Sequence, residues 1–370
     1  MDPGWLVYPG LLIWSAVLFL PWRPWSTREN LDVMDSDAAD LSEVTVLIPA
    51  RNEADHISAT LHALAGQGDG LHVILIDDQS RDGTRDRAEQ TGLENLKIVN
   101  GELLPEGWSG KLWALEQGRR LVTTPVILLL DADIRLLPGT VHTLLAKMKH
   151  EKLQLVSLMA HLRMENPWEK LLMPAFIYFF KLLYPFRISN SETRLIAAAA
   201  GGCIMVDSKC LEDIGGFSVL RDELIDDCAL ARHFKNNNCK TWIGLTHSAI
   251  SDRKYQNLKS IWNMVARTAF TQLHYSLLLL ILCTAIMSFA FLFPIAALFS
   301  KLTVYILLSL LTFIIMAVTY RPTLKFYGLS PHWALFLPII GVLYLLMTWC
   351  SAVNHWRGRG AEWKERTYTA

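Results

Sequence analysis

One stretch of the chain is especially informative about its fold: Pro125-Val126-Ile127-Leu128-Leu129-Leu130-Asp131-Ala132-Asp133. An unbroken apolar run of this length is typical of a strand buried on both faces of a mostly parallel sheet. In open α/β sheets, ligands bind beyond the carboxyl ends of the strands. Asp131 and Asp133 would there offer hard oxygen ligands of the kind that Mg²⁺ or Mn²⁺ prefers. The alternative is a capped turn before a helix that begins near Pro138, since Asp is a common turn residue.

Strand and helix patterns alternate on both sides of this stretch. The apolar runs predict strands at 44–48 (stopped by Pro49), 73–76 and 126–130, with further strand candidates at 156–158 and 202–206. Helical spacing is present over 53–65, after Thr84 and over 111–122. Alternation at this spacing predicts an α/β fold, a mixed sheet with helices on both faces.

The composition indicates membrane contact rather than nucleic-acid binding. The chain has 370 residues, a formal net charge of zero and 52% hydrophobic residues, concentrated at 5–21 and after 275. A chain without excess positive charge lacks the electrostatic footprint of a nucleic-acid-binding protein. The six cysteines form no Cys-x-x-Cys and no paired framework. We interpret them as reduced thiols in a reducing compartment.

The first 28 residues are predicted to form an N-terminal membrane anchor. Residues 5–20 carry no charge and are flanked by tryptophans, which suits a membrane helix of slightly short length. A secretory signal peptide is the weaker alternative, since the leader lacks a basic start and a cleavage site. Arg23 and Arg28 follow the apolar run, so the positive-inside bias predicts a cytoplasmic catalytic region. Residues 29–43 are predicted to be a linker.

Residues 168–186 form an aromatic segment edged by Lys170 and Lys181 and broken by Pro174. Trp, Tyr and Lys are stable together in the headgroup region of a bilayer, which favours an interfacial helix. The alternative is a buried core helix.

The composition changes again after residue 275. Residues 276–299, 302–319 and 333–353 lack charge and are long enough, or nearly so, to cross a bilayer. We therefore predict C-terminal transmembrane helices over 273–356 and a basic tail over 357–370. Three full crossings would place that tail outside, against the positive-inside bias, so a re-entrant or interfacial segment is an open alternative.

Four polar groups accompany the Asp-x-Asp pair, each near the carboxyl end of a predicted strand or just beyond it. They are Pro49-Ala50-Arg51-Asn52-Glu53, Asp77-Asp78-Gln79-Ser80-Arg81-Asp82-Gly83-Thr84, Gly110-Lys111 at the start of a helix, and Asp226-Asp227. Each string alone is also an ordinary turn, helix cap or favourable helix start. Their joint order along one α/β pattern favours a functional interpretation.

Each of these polar groups suits a particular chemical role. A carboxylate after the second strand can accept hydrogen bonds from a nucleobase edge or ribose hydroxyls. Lys111 near a helix N-terminus can meet phosphate oxygens as a point charge. A divalent cation at Asp131 and Asp133 would stabilise a diphosphate leaving group. A separate carboxylate, Asp226 or Asp227, can take a proton from an attacking hydroxyl.

The order of these motifs resembles that of family 2 glycosyltransferases of the GT-A fold, over roughly residues 44–272. The strings that carry the resemblance are Ile48-Pro-Ala-Arg-Asn-Glu53, Ile76-Asp-Asp-Gln-Ser-x-Asp-Gly-Thr84, Gly110-Lys-x-x-Ala-Leu115, Leu130-Asp-Ala-Asp133, Gly201-Gly-Cys203 and Asp226-Asp-x-Ala-Leu230. The string Trp108-Ser-Gly-Lys-Leu-Trp-Ala-Leu115 and the flanking apolar segments look most like the hopene-associated glycosyltransferases. Ceramide glucosyltransferases are next in similarity.

The resemblance implies a role for each matching residue. Asp131 would lie near ribose and sugar, and Asp133 would be the principal ligand of a Mg or Mn ion. Asp227 would be the catalytic base, although Asp226 stands where the family usually has Glu, which leaves both carboxylates as candidates. The remaining roles are a nucleotide pocket at Ala50, Asn52, Glu53 and Asp78, and an acceptor side shaped by Gly201 and Gly202.

One departure bears on the reaction. Processive members of this family carry Gln-x-x-Arg-Trp before their membrane helices, whereas this chain has Met264-Val-Ala-Arg267-Thr268. Chain-extending polymerisation is therefore disfavoured. Arg267 is a candidate contact of the diphosphate, and its alternative is a surface Arg beside a membrane.

We therefore expect an inverting, metal-dependent hexosyltransferase in the inner membrane of a bacterium. It would move one sugar from a nucleotide-sugar donor, UDP-linked by expectation, to the hydroxyl of a membrane lipid, with a hopanoid implied by resemblance. The alternatives are a membrane-tethered nucleotidyltransferase, a polyprenyl-phosphate sugar transferase and a non-catalytic scaffold. A nucleotidyltransferase would need a Gly-rich, Arg-containing loop where this chain has Pro49-Ala-Arg-Asn-Glu-Ala54.

Overall fold

The computed structural model describes residues 3–33, 40–221, 226–358, 361–363 and 366–368. The chain divides into two compact units. One comprises Glu29–Arg163 and Ile188–Arg253, and the other comprises Met1–Arg28, Met164–Arg187 and Lys254–Ala370. We call the first the sheet unit and the second the helical unit.

The sheet unit is built around eight strands. They are β1 (Val44–Ala50), β2 (His72–Asp77), β3 (Leu96–Asn100), β4 (Val126–Leu130), β5 (Ile134–Leu136), β6 (Leu155–His161), β7 (Cys203–Asp207) and β8 (Thr241–Ser251). Their order in the sheet is β3-β2-β1-β4-β7-β6-β8-β5. The strands from β3 to β4 are parallel, and β7 is antiparallel to both β4 and β6. The sheet is therefore mixed, as the sequence predicts.

Fourteen α-helices are present among the described residues. They are α1 (Val7–Phe19), α2 (Ile57–Ala65), α3 (Thr84–Glu89), α4 (Gly110–Arg119), α5 (Thr140–His150), α6 (Pro167–Leu183), α7 (Phe186–Ser189), α8 (Ser208–Asp213), α9 (Asp226–Asn236), α10 (Leu258–Thr268), α11 (Leu277–Met287), α12 (Phe293–Ala297), α13 (Thr303–Phe326) and α14 (Leu337–Trp356). A two-stranded ladder of Ala361–Trp363 and Arg366–Tyr368 follows them.

Both faces of the sheet are buried. Successive side chains of a strand point to opposite faces, so each strand contributes to the packing on both. In β4, Leu128 and Leu130 belong to one buried cluster, while Ile127 and Leu129 belong to another. The first cluster includes side chains of α2 and α5, and the second includes side chains of α4 and α9. The unbroken apolar run of β4 thus reflects helices on both faces, which confirms the predicted architecture.

Several predicted boundaries are wrong. Pro49 lies inside β1 rather than ending it, because β1 pairs with β4 only as far as Leu47 but with β2 as far as Ala50. Beyond Leu47, the N–H that proline lacks is not needed for the ladder with β4. The helix predicted from residue 53 begins at Ile57, after a turn in which the carbonyl of Glu53 accepts two backbone hydrogen bonds.

Three strands of the sheet were missed: β3, β5 and β8. β5 has only three residues, too few for a periodic pattern. β3 is half-buried at the edge of the sheet, so its apolar pattern is weak. β8 is the longest strand, but glycine and polar residues interrupt its alternation. Its place next to β6 comes from parallel pairing with a distant segment, which no local pattern encodes.

The predicted linker is partly ordered against the sheet. Leu31 donates its N–H to Leu245, and Leu245 donates to Glu29. The side chain of Asp32 accepts hydrogen bonds from Thr246 and His247. Residues 34–39 of the predicted linker lie outside the described residues.

The helical unit has three helical stretches long and apolar enough to cross a membrane, within the part of the chain that the structure describes. They are Leu277–Ala297, Thr303–Phe326 and Pro331–Trp356, and a shorter apolar helix covers Pro3–Phe19. Trp14 of that shorter helix donates its indole N–H to the carbonyl of Ala290. Placement in a membrane remains a prediction from length and composition.

Helix α6 runs without a break through Pro174, which corrects the predicted interruption. Asn166 and Glu169 cap its start reciprocally, so its first turn is well satisfied. Its Tyr178 hydroxyl donates to Thr319 of α13, and the hydroxyl of Tyr344 in α14 donates to the carbonyl of Leu172. One face of α6 is therefore buried within the helical unit, and its predicted interfacial position is untested.

Candidate active site

The candidate site lies in the sheet unit, where Asp131 follows the last residue of β4. The Lys111 ammonium lies 2.7 Å from Asp131 Oδ1. The same ammonium donates a 3.4 Å hydrogen bond to the carbonyl of Gly201. Lys111 occupies the first turn of α4, whose start is capped by the Ser109 side chain. It therefore links the end of β4 to the segment that precedes β7.

Asp227 joins this network from α9. Its Oδ2 accepts a 2.8 Å hydrogen bond from the N–H of Gly201, and its Oδ1 accepts a 2.7 Å bond from the N–H of Cys228. The N–H of Asp131 in turn donates to the carbonyl of Gly202. Asp131, Lys111, the Gly201-Gly202 pair and Asp227 thus form one hydrogen-bonded cluster, although they are far apart in the sequence.

One cavity of the sheet unit opens on this cluster. It is lined by the polar residues Lys111, Asp131, Asp226 and Asp227 together with Gly201 and Pro49. Its remaining lining is apolar: Leu112, Leu115, Leu129, Leu130, Ile204, Phe217, Leu220 and Leu230. Converging charged groups in front of an apolar wall are typical of a ligand site.

The electrostatics of the cluster follow from burial and mutual charge. Burial first, and then the charge of nearby Asp226, raise the pKa of Asp227 to about 6, against opposing effects of the Lys111 charge and two backbone N–H groups. Burial by itself would lower the pKa of Lys111, but Asp131, Asp226 and Asp227 outweigh it and raise that pKa above its usual value. Lys111 is therefore a permanent cation among three carboxylates.

Asp133 has a different environment from Asp131. Its carboxylate is 8% exposed, and Oδ2 accepts a 2.6 Å hydrogen bond from Nε of Arg253. A second nitrogen of Arg253 lies 3.6 Å from Oε1 of Glu53. The sequence reasoning missed Arg253, although its position directly after a strand end, in Ser251-Asp252-Arg253, is a signal of the kind used for the other groups.

The predicted nucleotide-pocket residues cluster at the ends of β1 and β2. Asn52 adopts a left-handed conformation with φ of 51°, and its side chain accepts the N–H of Arg81. The N–H of Glu53 donates to the hydroxyl of Thr84. Asp78 is 3% exposed, and its carboxylate lies 3.9 Å from Arg51. Ala50 is fully buried in the core, and its carbonyl accepts the N–H of Asp78.

Arg267 lies outside this unit. It is an exposed residue in the last turn of α10, within the helical unit. Its predicted contact with a diphosphate is untested.

The oxygen set at the end of β4 fits a divalent cation chemically. Asp131 and Asp133 supply hard carboxylate oxygens, the ligand type that Mg²⁺ and Mn²⁺ prefer. Each carboxylate is paired with a cationic side chain, Lys111 for Asp131 and Arg253 for Asp133. Among the described residues, no group of three or more His, Cys, Asp or Glu side chains is arranged to hold a metal ion by itself. Further ligands would therefore have to come from substrate phosphates or water.

Comparisons with known proteins agree with this geometry. Residues 45–215 match the model of the family "Glycosyl transferase family 2". This stretch is similar to that family, and we call it the family 2 region. The family 2 region contains every motif of the site except Asp226, Asp227 and Arg253, which follow it along the chain.

Similar proteins match shorter parts of the chain. The 4,4'-diaponeurosporenoate glycosyltransferase of Staphylococcus haemolyticus (strain JCSC1435) is 30% identical over 96 residues, which are 25% of this chain and 24% of that protein. The protein of the same name from Staphylococcus aureus (strain USA300) is 35% identical over 95 residues, again 25% and 24% of the two chains. The match thus spans about a quarter of the length of these relatives.

Among solved structures, a mannosyltransferase from Pyrobaculum calidifontis in complex with GDP-Man and Mn²⁺ is similar over 94% of this chain and 98% of its own. The TM-score is 0.51 and the identity is 17%. A likeness at this identity shows the fold alone. The family 2 region and this neighbour together establish the GT-A fold that the sequence predicts.

Proposed function

We propose that this chain is a membrane-bound inverting glycosyltransferase that moves one sugar from a nucleotide-sugar, with UDP as its nucleotide, to an acceptor group of a membrane lipid. The observation that carries this proposal is the cluster in which Asp227 is joined to Asp131 through Gly201 and Lys111. This cluster brings a candidate base beside the Asp-x-Asp pair of the family 2 region.

The chemistry is a single displacement. A lipid hydroxyl gives its proton to a carboxylate oxygen of Asp227, and its oxygen forms a bond to the anomeric carbon of the sugar. The bond between that carbon and the phosphate oxygen breaks, and the nucleoside diphosphate leaves with the electron pair. Because attack and departure are on opposite faces, an α-linked donor yields a β-glycoside.

The divalent cation would be held by Asp133, with Asp131 beside it. When bound, it stabilises negative charge on the departing diphosphate. The solved neighbour contains Mn²⁺ with GDP-Man, which supports a cation and a nucleotide-sugar here without selecting Mn over Mg.

Two observations support the proposed class of acceptor: the apolar helices and the similar protein families. Three helical stretches are long and apolar enough to cross a membrane, which favours an acceptor in the bilayer. The resemblance to hopene-associated glycosyltransferases implies a hopanoid hydroxyl, whereas the curated relatives are named for 4,4'-diaponeurosporenoate. We favour a hydroxyl, because a carboxylate acceptor is already deprotonated near neutral pH and needs no base.

Transfer to two acceptors by wild type and D227N tests this proposal. Purified full-length protein in detergent would receive labelled UDP-sugars, Mn²⁺ and either a hydroxyl-bearing hopanoid or 4,4'-diaponeurosporenoate. We expect transfer to the hydroxyl, and a loss of about 10²-fold or more in D227N, the range for a general base.

Two outcomes would contradict the proposal. Near-normal transfer to the hydroxyl by D227N would show that Asp227 is not the base. Transfer to the carboxylate alone, unaffected by D227N, would show that the acceptor is an acid. E116Q serves as a control, because the Glu116 carboxylate pairs with Arg119 and Arg120 rather than with the cluster.

A further inference from the structure

Arg253 bridges two buried carboxylates at the end of the sheet. Its Nε donates to Asp133 Oδ2 at 2.6 Å, and a terminal nitrogen lies 3.6 Å from Glu53 Oε1. Both carboxylates are 8% exposed, whereas the Arg253 side chain is 41% exposed. The guanidinium therefore covers the two acids from the solvent side.

The backbone holds this arrangement in place. The N–H of Asp252 donates to the carbonyl of Asp133, so the residue before Arg253 is bound to the residue that its side chain contacts. The end of β8 thus delivers Arg253 to Asp133 with little freedom.

A carboxylate buried to this degree requires a neighbouring positive charge. Arg253 supplies that charge at the oxygen that a divalent cation would use. Mg²⁺ binds carboxylate oxygens at about 2.0–2.1 Å, closer than the guanidinium lies, and the two cations would repel each other strongly in so small a space. Cation and guanidinium therefore compete for Asp133 Oδ2.

We propose that Arg253 is a built-in counter-ion of Asp133 that a divalent cation must displace in order to bind. The inference rests on the proposed function, because it takes Asp133 as the principal ligand of the cation. Its consequence is that the cation alone binds weakly, since binding must break the pair between Arg253 and Asp133. Removing the guanidinium strengthens binding, although it removes a residue of the site.

Mn²⁺ titration of the full-length protein in detergent, without nucleotide, tests this inference. Free Mn²⁺ is followed by electron paramagnetic resonance, and calorimetry provides a second readout. We expect R253M to bind Mn²⁺ at least 5-fold more tightly than wild type, because the competing charge is gone. R253K keeps a charge on this side chain, so its affinity is expected to stay within about 2-fold of wild type.

R135M is the matched control. Arg135 is also 41% exposed and also pairs with an acid of the same strand end, but that acid is Asp252 and not Asp133. Its Mn²⁺ affinity is expected to equal that of wild type. Adding D133N to R253M is expected to abolish the gain.

Two kinds of failure can be distinguished. Binding that depends on Asp133 but is equal or weaker in R253M overturns the role of Arg253 and leaves the proposed cation site intact. Binding that D133N does not weaken, or no Mn²⁺ binding by either wild type or R253M, overturns the cation site of the proposed function and the inference with it.

Discussion

At the scale of single residues, the cluster around Lys111 sets the charge state of the candidate base. Lys111 pairs with Asp131 and contributes to the electrostatics of both Asp226 and Asp227. A carboxylate with a pKa of about 6 is a better general base near neutral pH than one with an ordinary pKa. Burial is the first cause of this shift, and the charge of Asp226 is the second.

The pH dependence of kcat/KM is expected to show an acid limb near pH 6. As the proposed base, Asp227 must be deprotonated to accept the hydroxyl proton, so activity is expected to fall as the pH drops through its pKa. D226N removes a repulsive charge and is expected to move this limb to lower pH. A limb that stays in place in D226N would show that Asp226 does not act on the base.

Replacing Lys111 by Met is expected to move the same limb in the opposite direction. The Lys111 charge lowers the pKa of Asp227, so its loss leaves the base protonated at higher pH. Breaking the partly buried pair with Asp131 is also expected to cost about 1–3 kcal/mol of unfolding free energy, below the range for fully buried pairs. Thermal unfolding and a pH–rate profile measure the two effects. K209M, at an exposed lysine of α8, should change neither.

At the scale of secondary-structure elements, both ends of α9 bind the segment 191–201. Asp227 in its first turn binds the N–H of Gly201. Lys235 in its last turn is 5% exposed and donates to the carbonyls of Ser191, Thr193 and Ile196 at 2.8–3.1 Å. The helix therefore fixes the position of Asp227, the candidate base, relative to the 191–201 segment.

K235M is expected to make the 191–201 segment more mobile without changing Asp226 or Asp227. It leaves three backbone carbonyls without their donor, which should lower the unfolding free energy by about 2–4 kcal/mol. Hydrogen exchange should rise at 191–201, whereas β1 and β4 should stay protected. Equal protection of 191–201 in K235M and wild type would contradict the positioning role.

Local sequence patterns predicted the positions of the site's strands better than the contacts between them. The runs in β1, β2 and β4 and the polar strings that follow them were located correctly, because each strand is buried and continuous. β8 and the pair between Arg253 and Asp133 were not, because both depend on contacts between distant parts of the chain. Arg253 and Asp133 are 120 residues apart in the sequence. No local signal encodes such a pairing.

At the scale of the whole molecule, charge and length predict an orientation in a membrane. The apolar helix Pro3–Phe19 is followed by Arg23 and Arg28, so the positive-inside bias predicts a cytoplasmic sheet unit. An epitope inserted after Gly92, an exposed turn residue in the sheet unit, should bind antibody only after the inner membrane of spheroplasts is permeabilised. Binding to intact spheroplasts would reverse the predicted orientation.

The sequence alone determined the α/β class, the place of the Asp-x-Asp pair and the apolar stretches, because these depend on periodicity and on runs of one residue type. The tertiary structure decided which charges meet. Lys111, predicted to face phosphate, lies between Asp131 and the Gly201 segment, and Asp133 lies against Arg253. Ion pairs of this kind form where strand ends from distant parts of the chain converge, and that convergence is a property of sheet order rather than of any single stretch.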